Sequence, residues 1–257
     1  MENFNLEKII KINKWSKNLF IISSTRKSNF KFNNGEFVIL GLNYNNKFIS
    51  RAYSISSSNY EENLEFLSIK IEKGLFTSIL SSLKINDEIF ISKKSTGTIK
   101  INNLMPGACN LWMFSTGTGI SPFISIIKDF NIYKNYKNII LVHSTKKKED
   151  LIFKNYLSNI FNKNNFEFFN NFKFIYYPIV TKENFKNFER MTDSIKNNKI
   201  FYEIGLNKFD LNKDRIMICG NIEMIKDLKN IIEKEYNFLE YNNNNLGHFV
   251  TEKAFVS

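Results

Sequence analysis

Two short stretches of the chain carry residue types that bind anions and flat rings. The first is RAYS at Arg51–Ser54, which opens a strand-like segment with a cation and an aromatic ring. Alternation along a strand places Arg51 and Tyr53 on one face and Ser54 on the other. A guanidinium pairs bidentately with a diphosphate, and a tyrosine ring packs beside a planar heterocycle. One ligand with both parts would use the pair, whereas a surface arginine and a core tyrosine are the structural alternative.

The second stretch is FSTGTGISPF, which reads as a strand, a glycine turn and a helix start. Gly117 and Gly119 let the backbone approach a pyrophosphate closely, and Thr116 and Thr118 add hydroxyl groups. Pro122 replaces the third glycine of the usual dinucleotide fingerprint. On this motif alone, a nucleotide site and an ordinary strand-to-helix turn are equally plausible.

The elements that must position these residues change character along the chain. The first hundred residues read as short strands separated by Asn, Gly and Asp, which predicts a small antiparallel barrel. One helical segment, FTSILSSLK, interrupts them after Gly74. Pro106 and Gly107 mark the best candidate linker.

From Leu111 onward, apolar strands alternate with amphipathic helices, which predicts a parallel α/β sheet. The predicted helices include PFISIIKDF, DLIFKNYLSNIF at 150–161 and EMIKDLKNIIEKE, while the stretch 187–201 gives weaker signals. The predicted fold is therefore a two-domain protein, an N-terminal antiparallel β-barrel followed by a C-terminal α/β nucleotide-binding domain.

Composition narrows the class of protein. The 257 residues carry 43% hydrophobic residues and only 3 Pro, which is typical of a globular chain. No apolar run approaches the roughly 20 residues that a membrane helix needs, and the start lacks a secretory signal, so we expect a cytoplasmic protein without membrane insertion. Cys109 and Cys219 are too few for a disulfide framework or a cysteine-ligated metal site. The formal charge of +11 comes from scattered lysines, so nucleic acid is not expected as a partner.

Taken together, RAYSISSSNYEENLEFLSIKIEKGLFTSIL, STGTGISPF, ICGN and EKAFVS resemble the bacterial ferredoxin-NADP reductase family. The resemblance covers nearly the whole chain in the family's order. It implies an FAD-binding β-barrel domain over 1–103, a linker over 104–110 and an NADP-binding α/β domain over 111–257. The C-terminal tail would lie over the flavin.

The resemblance also implies roles for individual residues of the FAD-binding domain. Arg51 would bind the diphosphate, Tyr53 would pack on the flavin, and Ser54 would lie beside flavin N5 as a catalytic neighbour. The remaining FAD-binding residues would be Ala52, Ile69, Lys70, Gly74, Thr77 and Ser78. For Thr77, an ordinary helix cap is the alternative.

In the NADP domain, the resemblance assigns the pyrophosphate to Thr116, Gly117, Thr118 and Gly119. Cys219 and Gly220 would lie beside the nicotinamide, where buried packing is the alternative for the cysteine. The 2′-phosphate of NADP requires cations, and Arg190 matches the family, whereas Lys146 and Lys182 stand where the family usually has arginine. Lysine keeps the charge but lacks the bidentate fork of arginine. We therefore expect the preference for NADP to be retained, with weaker binding of its 2′-phosphate.

The tail residues Ala254 and Phe255 would cover the flavin face where nicotinamide must dock, and with Ser54 and Cys219 they complete the predicted catalytic set. His143, at the end of a buried strand, and His248 are interpreted as structural or solvated. No catalytic acid or base is required, because hydride transfer between nicotinamide and flavin is the chemistry of the cofactors.

The resemblance implies an enzyme that transfers hydride between NADP(H) and FAD and single electrons between FAD and ferredoxin or flavodoxin. Such partners are usually acidic, which the basic charge of the chain would favour. Two alternatives stay open on motifs alone. One is a reductase component of an oxygenase or a free-flavin reductase, and the other is a non-catalytic flavin-binding module.

Overall fold

The computed structural model describes residues 2–151, 156–157 and 172–254, and these form two compact units. The first unit contains residues 2–98 together with 121–128, and the second contains residues 99–120 together with the described residues of 129–254. The proposed linker at 104–110 falls within the second unit in this division, and its role as a linker stays a prediction.

The first unit is built on a six-stranded antiparallel sheet with the order β4-β3-β6-β1-β2-β5. Its strands are β1 Phe4–Lys14, β2 Leu19–Ser24, β3 Phe37–Tyr44, β4 Lys47–Ser54, β5 Leu64–Ile69 and β6 Glu88–Ser92. An isolated bridge between Ile55 and Phe66 links the segment after β4 to β5, at the opposite edge of the sheet. The predicted antiparallel barrel is therefore confirmed.

The barrel core follows from alternation along these strands. Val38, Leu40 and Leu42 of β3 are buried, and Ile89 and Ile91 of β6 join them. Successive strand side chains point to opposite faces, so such an alternating set fills one side of the sheet. The predicted helix after Gly74 spans Leu75–Leu80 and buries Phe76 and Leu80 against this core.

The second unit contains a five-stranded sheet with the order β11-β10-β7-β8-β9. Its strands are β7 Asn110–Thr116, β8 Asn138–Thr145, β9 Lys173–Val180, β10 Asp214–Gly220 and β11 Phe249–Lys253. Their four pairings are parallel, and all seven residues of β10 are buried. Parallel strands covered on both faces read as continuous apolar runs, which is why the sequence predicted this sheet correctly.

Helices connect these strands. They span Ser121–Ile127, Ile132–Asn135, Met191–Lys196, Lys199–Ile204 and Ile222–Tyr236, with single 3₁₀ turns at Ile101–Asn103, Gly117–Ile120 and Lys148–Asp150. The helix predicted at 150–161 lies largely outside the described residues. Among the described residues, no helix is both long enough and apolar enough to cross a membrane.

One helix departs from its predicted amphipathic character. Every residue of Ser121–Ile127 is buried, and the region clusters with the first unit. The Ser125 hydroxyl donates to the carbonyl of Ser57 at 2.7 Å, and the Lys128 ammonium lies 3.0 Å and 3.1 Å from Glu61 and Glu65. Because its polar residues pair with partners inside the protein, this helix can be buried on all sides. The expectation that one of its faces lies at the protein surface is therefore wrong.

Candidate functional site

The predicted pyrophosphate turn follows β7 and is shaped by two glycines. Gly117 has a left-handed φ of +52°, which glycine adopts without the steric penalty of a side chain. A Cβ atom added at Gly119 would lie 2.4 Å from the carbonyl oxygen of Cys219. The turn is therefore packed directly against the end of β10, and its backbone has no room there for a larger residue.

Thr116 fastens the same turn to the segment after β10. Its hydroxyl oxygen accepts a hydrogen bond from the Asn221 backbone N–H at 3.0 Å and one from the Asn221 amide at 3.3 Å. Asn221 also caps the helix Ile222–Tyr236, since its side-chain oxygen accepts from the Met224 N–H at 2.8 Å. The short apolar β10 and this cap together fix the position of the turn.

The strand end at Cys219 and Gly220 lies beside this turn, and its predicted place beside the nicotinamide stays a prediction. The Cys219 side chain is almost completely buried, and burial raises the pKa of its thiol well above the ordinary value, with nearby Glu252 adding to the effect. A neutral buried thiol is a poor nucleophile, so this residue supplies shape to the site rather than covalent chemistry. The Ala254 N–H donates to the Gly220 carbonyl at 2.9 Å, which brings Ala254 to the same strand end. Phe255 lies outside the described residues.

The predicted 2′-phosphate cations lie where β8 and β9 end. The Lys182 N–H donates to the Lys146 carbonyl at 3.1 Å, so the two exposed lysines are backbone neighbours across the ladder. The Glu183 carboxylate accepts from the Lys148 N–H at 2.8 Å and ties the two loops together. The structure thus brings together two residues that are 36 positions apart in the sequence.

Arg190 stands at the other end of the loop that follows β9. The Val180 N–H donates to the Asn187 carbonyl at 3.1 Å, so this loop folds back on the strand end, and Arg190 then begins the helix Met191–Lys196. Across the described ranges, no carboxylate lies within salt-bridge distance of Lys146, Lys182 or Arg190. An anionic ligand would therefore not have to displace a carboxylate of the described residues from these three side chains.

In the first unit, Arg51 and Tyr53 occupy β4 two residues apart. Arg51 is exposed, and its guanidinium donates to the neighbouring Ser50 carbonyl at 2.8 Å. The Tyr53 hydroxyl is hydrogen-bonded to the Ser68 hydroxyl at 2.9 Å, and burial raises the pKa of Tyr53 to about 12. Its ring also packs on the barrel core, 5.8 Å from the ring of Phe76. Ser68 holds the ring in place, a role that no sequence signal indicated.

The segment from Ile69 to Ser78 surrounds the start of the short helix. The Thr77 hydroxyl donates to the Gly74 carbonyl at 3.2 Å and accepts from the Ile71 N–H at 3.1 Å. Thr77 is thus used inside the turn, but the helix N-cap is Gly74 and no side-chain hydrogen bond caps it, so Thr77 is not a helix cap. The contact of Thr77 with a diphosphate stays a prediction. Lys70 is exposed, whereas Ala52, Ser54, Ile69, Gly74 and Ser78 are partly buried.

His143 was interpreted as structural or solvated, and the structure buries it completely in β8. Its Nε2 atom lies 3.0 Å from the Gly117 carbonyl oxygen, and its Nδ1 atom lies 3.2 Å from the Tyr176 hydroxyl. Burial lowers the pKa of His143 to about 4, although the Gly117 carbonyl opposes the shift. The ring is therefore neutral at physiological pH.

We expect this buried ring to make the free energy of unfolding depend on pH. Because the folded pKa of about 4 lies below the ordinary value of 6.5, the unfolded chain takes up the proton first. Stability is then lost as pH falls from about 6.5 toward 4, by roughly 2 kcal/mol between pH 7 and pH 5. Urea titrations of the wild type and of His143→Gln at both pH values measure the difference. Equal pH dependence in the two proteins would contradict the assignment.

Comparisons with known proteins agree with this two-site arrangement. A family model described as an oxidoreductase FAD-binding domain matches residues 3–101, and one described as an oxidoreductase NAD-binding domain matches residues 113–230. The chain is 37% identical over 259 residues to the ferredoxin–NADP reductase of Azotobacter vinelandii, covering 100% of this chain and 99% of that protein. It is 35% identical to the flavodoxin/ferredoxin–NADP reductase of Rhodobacter capsulatus, and the match covers 96% of this chain and 92% of that protein.

A solved structure shows the same likeness in three dimensions. The ferredoxin–NADP⁺ reductase of Neisseria gonorrhoeae, crystallised with bound FAD and NADP, superimposes with a TM-score of 0.88 at 27% sequence identity. The match covers 98% of this chain and 99% of that one. The similarity therefore includes both units and extends from end to end.

Proposed function

The chain belongs to the ferredoxin–NADP reductase family, and we propose that it transfers hydride between NADP(H) and FAD and single electrons between FAD and ferredoxin or flavodoxin. The resemblance predicted from the motifs is confirmed, and the chain is an oxidoreductase with an FAD-binding and an NADP-binding domain. The observation that carries the proposal is the pyrophosphate turn, locked against the end of β10 in a chain that matches these reductases over its full length.

The residues of the first unit fit FAD. Arg51 presents an exposed guanidinium, the side chain best suited to bind a diphosphate through two hydrogen bonds. Tyr53 presents a ring held by Ser68 and Phe76, which suits packing on a flat heterocycle. Because both side chains project from one strand, their spacing is set by the strand and not by a mobile loop. We propose that Ala52, Ser54, Ile69, Lys70, Gly74, Thr77 and Ser78 complete this site.

The residues of the second unit fit NADP(H). The glycine turn offers a close approach for a pyrophosphate, and Lys146, Lys182 and Arg190 offer positive charge for the 2′-phosphate. Cys219, Gly220 and Ala254 form the wall at the end of β10, and we propose that they and Phe255 adjoin the nicotinamide. When bound, the two cofactors supply the redox chemistry themselves, so these residues need only bind, orient and exclude water.

The basic charge of the chain supports an acidic electron-transfer partner. A formal net charge of +11 attracts an acidic protein and speeds its encounter at low ionic strength. Salt screens such attraction, so electron transfer to ferredoxin or flavodoxin would slow as ionic strength rises. The Rhodobacter relative, whose name includes both acceptors, supports flavodoxin as a second partner.

The test of this function is a spectrum followed by a reduction. We expect the purified protein to be yellow with non-covalently bound FAD, because the Arg51 and Tyr53 pair serves both parts of that cofactor. Under anaerobic conditions, NADPH should bleach the flavin absorbance, and added oxidised ferredoxin or flavodoxin should restore it. A colourless protein that gains no flavin absorbance with added FAD would overturn the proposal. A yellow protein whose flavin stays oxidised after NADPH is added would indicate a flavin-binding module without the proposed reductase activity.

A further inference from the structure

A buried chain of hydrogen bonds reaches the pyrophosphate turn from the neighbouring strands. His143 lies in β8, Tyr176 lies in β9, and Gly117 follows β7. Because these three strands are adjacent in the parallel sheet, their residues meet although they are far apart in sequence. His143 is 1% exposed, so its ring lies inside the unit, whereas Tyr176 is partly buried and Gly117 is exposed.

The direction of each hydrogen bond follows from the atoms involved. A carbonyl oxygen only accepts, so His143 Nε2 must carry the proton that it donates to Gly117 at 3.0 Å. In a neutral ring Nδ1 is then an acceptor, and the Tyr176 hydroxyl must donate to it at 3.2 Å. Burial lowers the pKa of His143 and raises the pKa of Tyr176, so both groups keep these protonation states at neutral pH. The Gly117 carbonyl therefore fixes which nitrogen of the histidine carries the proton, and the Tyr176 hydroxyl supports that tautomer by donating to Nδ1.

This chain sets the orientation of one peptide group in the turn. Within the described residues every peptide bond is trans, so the Gly117 C=O and the Thr118 N–H point in opposite directions. The carbonyl is held inward by His143, and the N–H is directed to the opposite side. Gly117 begins the 3₁₀ turn Gly117–Ile120, and its left-handed φ carries no side-chain penalty, so the hydrogen bond from His143 adds to the bonds of the turn in holding this peptide.

We propose that His143 is a positioning residue for the dinucleotide: with Tyr176 behind it, it holds the Gly117–Thr118 peptide so that the Thr118 N–H faces the pyrophosphate. The inference rests on the proposed function, because it assigns the pyrophosphate of NADP(H) to this turn. Without the inward bond, the peptide would populate other orientations, and the ligand would bind only the competent fraction.

The test compares two ligands on one variant. His143→Leu removes the donor to the Gly117 carbonyl. If the fraction of molecules with the Gly117–Thr118 peptide in the binding orientation fell to about a tenth, NADP⁺ would bind about tenfold more weakly, and this is the loss that we expect. Adenosine 2′-monophosphate carries the 2′-phosphate but no pyrophosphate, so its affinity should change less than twofold, on the order of a few tenths of a kcal/mol. Isothermal titration of the FAD-loaded protein measures both. His143→Gln offers an amide N–H in place of Nε2 and should restore most of the NADP⁺ affinity.

Other outcomes separate the inference from the function on which it rests. Unchanged NADP⁺ affinity in His143→Leu, or an equal loss for both ligands, overturns the positioning role while leaving the proposed function intact. A wild-type protein that binds neither ligand overturns the proposed function itself. If His143→Leu does not fold, Tyr176→Phe provides the same comparison. We expect this variant to bind NADP⁺ about threefold more weakly, because the ring keeps its Nε2 atom but loses the hydrogen bond to Nδ1 that supports the required tautomer. No change in that variant would then overturn the inference.

Discussion

Replacing Lys182 and Arg190 together by alanine is expected to lower the preference for NADPH over NADH by at least about a hundredfold. Each side chain offers a charge-assisted hydrogen bond to the 2′-phosphate, worth roughly 1.5 to 3 kcal/mol. NADH lacks that phosphate, so the loss falls on NADPH alone. Neither cation has a carboxylate partner among the described residues, so their removal leaves no buried charge behind. The effect is therefore one of binding and not of folding.

Stopped-flow reduction of the bound flavin by NADPH and by NADH measures this preference. Lys186→Ala is the control for a nearby cation, because Lys186 is exposed in the same loop and its loss removes one of the two positive charges that the double variant removes. Lys182→Arg should act in the opposite direction by supplying the bidentate fork that lysine lacks. If the double variant kept the wild-type preference, or if the control matched its loss, these residues would not bind the 2′-phosphate.

The strands that carry both sites were predictable because their periodicity is simple. The β7 segment is a continuous apolar run followed by two glycines, and the structure has a buried strand and a tight turn there. The segment 187–201 gave weaker signals because its helices, Met191–Lys196 and Lys199–Ile204, have only six residues each. Asn198, in the left-handed conformation, separates them. Short helices offer too few turns for an apolar repeat to stand out.

The supporting contacts could not be predicted because they depend on register across the sheet. The partners of His143 lie 26 and 33 residues away, in the turn after β7 and on β9, and the partner of Tyr53 lies 15 residues away. A histidine within an apolar run has the same local pattern whether it packs passively or holds a carbonyl. Only the pairing of three parallel strands places it beneath the turn. The sequence therefore indicates the groups that would touch a ligand better than those that hold them in place.

Arg51→Ala is expected to weaken FAD binding by about tenfold to a hundredfold, the range of one charge-assisted contact to a diphosphate. Arg51 is exposed in β4, and the only hydrogen bond of its guanidinium within the described residues goes to the adjacent Ser50 carbonyl. The barrel core does not depend on it, so the variant should fold and lose colour on dialysis. Flavin fluorescence during titration of the apoprotein with FAD measures the dissociation constant.

Two further variants, Lys47→Ala and Tyr53→Phe, show whether the loss of FAD affinity comes from the general change in charge or from the residues at this particular site. Lys47→Ala removes an equal charge from the exposed start of the same strand and should leave the FAD affinity unchanged. Tyr53→Phe keeps the ring but loses the 2.9 Å bond to Ser68, so a loss of only a few-fold is expected if packing on the flavin is the role of this residue. If Arg51→Ala bound FAD as tightly as the wild type, the guanidinium would be a surface charge and not a diphosphate ligand. If Tyr53→Phe lost more affinity than Arg51→Ala, the hydroxyl of Tyr53 would be the binding group, and its bond to Ser68 would need to open when FAD binds.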